Sequence, residues 1–118
     1  MVYLVNYRML HKAPGKTTIK CLEKRKDEKF ECFTPLMPSL FVKDLIRQRR
    51  IKHALKEMTS LSNNISNKEI LSELKKGNQN LILVSWEEYD SPLTKIREEL
   101  LNKWKIEYKI IQGEQVLA

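Results

Sequence analysis

Polar and apolar positions change period along this chain, and each change marks an element. Val2 to Leu10 alternates, with Tyr3, Val5, Tyr7 and Met9 on one face, the period-two signature of a strand. Pro14 and Gly15, within His11 to Lys16, mark the turn that ends it. Thr17 to Lys24 and Lys29 to Thr34 predict two further strands around a charged loop, Arg25 to Glu28. Read as a hairpin centred on Lys26 and Asp27, this pair sets Cys21 opposite Cys32, Ile19 opposite Thr34 and Glu23 opposite Phe30.

Pro35 and Pro38 separate that β-rich third from a helical one. Ser39 is a suitable N-cap for a helix running towards Met58. At 100° per residue, however, Phe41, Val42 and Leu45 point one way, and Ile51, Leu55 and Met58 point well round the cylinder from them. One straight helix cannot bury both sets, so the pattern predicts a kink or two helices meeting at Arg47-Gln48-Arg49-Arg50. Thr59 to Asn67 is polar and reads as loop.

The last third is the most regular. Ser66-Asn67-Lys68-Glu69 has the spacing of a capping box, Ile70, Leu71 and Leu74 follow as an apolar face, and Gly77 is a left-handed stop. Leu81 to Trp86 is a continuous apolar run, as expected of a buried parallel strand. After a loop from Glu87 to Ser91, Pro92 stands at the favoured first position of a helix whose face is Leu93, Ile96, Leu100, Leu101 and Trp104. Ile106 to Ile111 is the next strand, ended by Gln112-Gly113. Strand, helix, strand over this length is a βαβ unit with a right-handed crossover. The expected fold class is therefore α/β, one domain over residues 1–118. Its parts are a β-rich segment (1–34), a basic helical segment (39–58) and an α-β-α-β unit (66–118).

Composition adds limits. With 118 residues the chain holds one core, and 42% hydrophobic and 31% charged residues exclude wholesale disorder. Apolar runs such as Met1 to Val5 and Leu81 to Val84 are far shorter than a membrane span, so no membrane partner and an intracellular, cytoplasmic setting are expected. The net charge of +7 is uneven: residues 1–60 carry fourteen bases and six acids, residues 61–118 eight bases and nine acids. A lopsided basic half is the footprint of a polyanionic partner, most often nucleic acid. Two cysteines and two histidines cannot supply a four-ligand zinc site of ordinary spacing, and no cofactor is expected.

Four features bear on chemistry. Pro14-Gly15-Lys16-Thr17 imitates the end of a phosphate-binding loop, but Leu10 stands where its first glycine is needed and a strand follows. Glu87, Glu88 and Asp90 lie just past a parallel strand, where they could hold a divalent cation for phosphodiester cleavage, although no base is placed beside them. Tyr3, Tyr7 and Phe33 could stack on bases or fill the core. The sharpest feature is Arg47, Arg49, Arg50, Lys52 and Lys56, with His53 among them: residues 43–56 hold six bases and one acid, Asp44. Such a run neutralises several phosphates.

From Asn67 to Ala118 the order of residues resembles the kink-turn RNA-binding ribosomal proteins, the archaeal large-subunit "seven-Ae" type with its thirty-e relatives. The matching positions are Asn67-Lys68-Glu69, Gly77, Leu81-Ile82-Leu83-Val84-Ser85, Glu87, Pro92, Ile106, Tyr108 and Val116-Leu117-Ala118. The resemblance implies an α-β-α sandwich that grips sheared G·A pairs. It implies that Glu69, Asn67 one residue early for the amide contact, Glu87 at the strand end and a late loop from Gln112 to Val116 touch the RNA. Ser66, Lys68 and Ser72 depart from the family's residues, and strand Val2 to Leu10 would fill the place of its closing elements. The first expectation is thus a non-enzymatic RNA-binding protein of a ribonucleoprotein particle. It would hold structured RNA through the Arg47 to Lys56 helix and the Ser66 to Glu69 helix start, with other particle proteins as further partners. The alternatives are a small metal-dependent nuclease built on Glu87, Glu88 and Asp90, and a viral or defence-related protein-interaction module.

Overall fold

The structure, a computed structural model, describes all residues except 16, 24–29, 62–71, 73–79, 88–89 and 112–118. Five strands form one sheet: β1 (Val2–Asn6), β2 (Thr17–Cys21), β3 (Glu31–Cys32), β4 (Asn80–Ser85) and β5 (Tyr108–Ile111). Their order is β3-β2-β4-β1-β5, and every pairing is parallel. Three helices with described bounds accompany them among the described residues: α1 (Leu40–Arg47), α2 (Ile51–Leu61) and α3 (Pro92–Lys103). With helices and a parallel sheet in one core, the molecule is α/β. Among the described residues no helix is long and apolar enough to cross a membrane.

Alternation along β1 and β4 divides the core in two. Val2, Leu4, Leu81 and Leu83 join Val42, Leu45, Ala54, Met58, Leu93, Ile96, Leu100 and Leu101 from the three helices. The opposite sheet face carries Val5, Ile82 and Val84, covered in part by Met9, Leu10 and Ala13. Leu81 to Ser85 are all buried, as a strand enclosed on both faces requires.

The N-terminal third completes this core, in a way that corrects two expectations. β1 stops at Asn6 rather than Leu10. The Asn6 side chain accepts from the Arg8 amide at 2.9 Å and caps a 3-10 segment, Tyr7–Lys12. That local bond competes with continued strand pairing, while Met9 and Leu10 still pack on the sheet. The predicted hairpin is also not formed. Cys21 does sit beside Cys32, but β2 and β3 run parallel, and both thiols are free. Parallel travel carries Phe33 and Leu36 forward into the helix-side core, where both are buried; the antiparallel partners Ile19–Thr34 and Glu23–Phe30 are not made.

The predicted break between α1 and α2 is present. Ser39 caps α1 by accepting from the Val42 amide at 3.1 Å, a bond worth about 1 kcal/mol. Val42 and Leu45 are buried. The helix ends with Arg49 in the left-handed region (φ 61°), Arg49 N–H donating to Ile46 C=O and Arg50 N–H to Leu45 C=O. That is the closing pattern usually built on glycine. α2 then turns its own stripe, Ala54 and Met58, to the core. It runs through Thr59 and Ser60, expected as loop, because the Thr59 hydroxyl donates to the Leu55 carbonyl within the helix. α3 starts as predicted, capped by Ser91 with Pro92 in its first turn, and closes like α1, with Lys105 at φ 58°. The βαβ unit has an unexpected spacing: β1 lies between β4 and β5 and pairs with both.

Candidate nucleic-acid interface and the acidic strand end

The α1–α2 elbow gathers the predicted basic residues at the surface. Arg47, Arg49, Arg50, Lys52 and Lys56 are all exposed. The apolar stripes of both helices are spent on the core, so what surrounds the break is left for charge. Arg47 lies 3.3 Å from Asp44, and both side chains are largely exposed, so this pair contributes little to stability. Arg50 Nη2 is 3.0 Å from His53 Nδ1, and His53 Nε2 is 3.7 Å from Glu57. Among the described residues no ion pair is made by Arg49, Lys52 or Lys56.

The elbow also holds one residue that the periodicity had placed elsewhere. Phe41, read as part of the buried face of α1, is 52% exposed, and Leu40 is 81% exposed. The left-handed turn at Arg49 folds α2 back along α1, and His53 meets the Phe41 ring edge-on, centroids 5.8 Å apart and planes at 89°. The signal was available: the buried pair Val42 and Leu45 leaves position 41 to one side of the stripe.

The acidic strand end is arranged differently. Asp90 is exposed, whereas Glu87 is taken up within the fold. Its carboxylate lies 3.0 Å from Arg97 Nη1, an arginine with a 1% exposed side chain on the inner face of α3. Arg97 Nε donates to the Leu36 carbonyl and Nη2 to the Leu22 carbonyl, each at 3.0 Å. Burial pushes the guanidinium pKa down, while the charge and hydrogen bond of Glu87, and the charge of Glu23, pull it back up. Arginine nonetheless stays protonated, so the site is a permanent cation tied to the ends of β2, β4 and the segment after β3. The Glu87 carbonyl is fixed as well, accepting from Asn6 Nδ2 at 2.8 Å and from Ser85 Oγ at 3.4 Å.

Among the described residues no three His, Cys, Asp or Glu side chains are placed to hold a metal ion. Glu88 lies outside the described residues, as do Ser66, Asn67, Lys68 and Glu69, Gly77 and the loop from Gln112 to Val116. Of the three candidate stacking aromatics, Phe33 is buried and Tyr3 packs on the second sheet face. Tyr7 is 49% exposed and lies flat against Trp86, centroids 5.3 Å apart. A strand begins at Thr17, leaving no helix start for a phosphate-binding loop there.

Sequence reasoning missed Arg97. Leu93, Arg97, Leu100, Leu101 and Trp104 share one helical stripe, so position 97 is a charge on an apolar face. A charge so placed needs an acid within reach, and Glu87, at the end of the preceding strand, supplies it. No known protein family, no curated protein and no solved structure matches the chain.

Proposed function

We propose that the protein is a non-enzymatic RNA-binding component of a ribonucleoprotein particle, with the α1–α2 elbow as its phosphate-contacting surface. The observation that carries this reading is the exposure of Arg47, Arg49, Arg50, Lys52 and Lys56 around one break, with Asp44 and Glu57 as the acids beside them. Arginine forks suit phosphate oxygens, and each phosphate neutralised adds about 0.7–0.9 to the salt slope of binding. The uneven charge, with most of the basic excess before residue 61, supports the same surface.

The resemblance to kink-turn RNA-binding ribosomal proteins adds Asn67 and Glu69 as a second contact, and the capping-box spacing of Ser66 to Glu69, with Lys68 between, would offer free amides to phosphate or base edges there. Glu87 enters as a positioning residue, because its carboxylate is taken up by Arg97.

The test is a titration of a kink-turn RNA, a plain RNA duplex and a DNA duplex of equal length at two salt concentrations. Binding that favours RNA and loses affinity in salt, with a shallower slope once Arg47, Arg49 and Arg50 become alanine, supports the reading. An unchanged slope in that variant removes the elbow from the interface.

A further inference from the structure

Phe41 and its neighbours point to a more specific ligand than phosphate alone. A large aromatic residue that is 52% exposed at the edge of a basic cluster is unexplained by folding, since the α1 core contacts come from Val42 and Leu45. His53 stands against it at a right angle and is itself held by Arg50 at 3.0 Å. An aromatic ring, an imidazole and a guanidinium are therefore linked at one spot, with Arg47, Arg49 and Lys52 around the same break. Leu40, 81% exposed, extends the apolar rim.

Duplex RNA presents phosphates and 2′-hydroxyls outwards and keeps its base faces stacked inside, so it has nothing for Phe41 to cover. Unpaired nucleotides offer both a flat π-face and a phosphate, at a spacing that one aromatic and its flanking bases can serve together. We infer that Phe41 is a stacking platform for an unpaired RNA base, whose adjoining phosphates are held by Arg50 and the other elbow bases. This rests on the RNA-binding reading above and narrows it: the elbow takes a loop, bulge or single strand within the RNA.

The experiment compares a single-stranded oligouridylate with an RNA duplex of equal phosphate number, using the full chain and the variants Phe41→Leu, Phe41→Trp and the triple arginine-to-alanine variant. Phe41 is exposed, so its variants should keep the helical circular dichroism and melting temperature of the parent. Oligouridylate is expected to bind the parent more tightly than the duplex. Phe41→Leu should lose about five- to 100-fold on the single strand and almost nothing on the duplex, while Phe41→Trp keeps its affinity. A 4-thiouridine-substituted strand should cross-link on irradiation to the peptide that contains Phe41.

If Phe41→Leu binds the single strand as well as the parent does, stacking is overturned, and the arginine variant shows separately whether RNA binding stands. If neither RNA binds in a salt-dependent way, the RNA-binding reading itself fails. Capture by anionic phosphatidylserine vesicles in preference to either RNA would make the elbow a lipid-facing surface and also overturn it.

Discussion

Two arginine clusters in this protein have opposite surroundings. At the end of β4, Arg97 is buried, and its donors go to Glu87 and to the carbonyls of Leu22 and Leu36. At the α1–α2 elbow, Arg47, Arg49 and Arg50 stand in solvent, and their partners among the described residues are the acid Asp44 and the imidazole of His53. The first cluster is made by the fold, since three separate segments must arrive together before Arg97 is satisfied. The second is made against the fold, at a place where two apolar stripes part and no core claims the surface. Net charge counts both alike. Their surroundings show that one holds strand ends together and the other is available to a ligand.

The contrast can be broken most severely at its buried side. Arg97→Ala leaves Glu87 unpaired and two carbonyls without donors, and should cost about 3–5 kcal/mol of stability, read by urea unfolding. A loss below about 1 kcal/mol would mean that Arg97 is not the tie described. On the exposed side, replacing Arg47, Arg49 and Arg50 together by alanine should lower RNA affinity at low salt by about tenfold or more. It should flatten the salt slope by about two to three, with the melting temperature nearly unchanged. Equal damage to folding would merge the two clusters into one structural class.

Smaller changes sharpen the same distinction. Glu87→Gln keeps a hydrogen-bonding oxygen for Arg97 but removes the charge at a partly exposed position. About 1–2 kcal/mol of stability should be lost, and RNA affinity of the folded protein should hold within about twofold. The gentlest probe is Arg49→Gly. Glycine accepts φ 61° without strain, so stability should rise by a few tenths to about 1 kcal/mol, less the extra freedom glycine has when unfolded. In a salt titration the same variant should lose about one phosphate's worth of slope.

Legibility in the sequence followed the range of the interactions. The α1–α2 break was readable because Phe41, Val42 and Leu45 cannot share a face with Ile51, Leu55 and Met58 on one cylinder. The Leu81 to Ser85 strand and the Pro92 helix were readable for the same local reasons of period and capping. Strand direction was not: the alternation that set Cys21 beside Cys32 is identical for parallel and antiparallel neighbours, and only the burial of Phe33 and Leu36 distinguishes them. Nor does any local pattern place β1 between β4 and β5. At the candidate site, charge density located the elbow, whereas the exposure of Phe41 depends on α2 folding back along α1. Arg97 stands in the sequence as a charge on an apolar stripe, but a charge tally does not separate it from the surface bases.

The position of β1 has a consequence for how the chain is made. It leaves the ribosome well before its two neighbours, to which it is joined through Val2 to Leu81 and to Tyr108. Until they emerge, a hydrophobic strand waits with both edges unpaired, and α1 and α2 have no finished sheet to pack on. Closing such distant pairs is entropically slow, so the sheet closes only after β4 and β5 have both emerged. Nascent chains stalled before Asn80 should accordingly remain protease-sensitive and in need of chaperone cover, however regular their helices are.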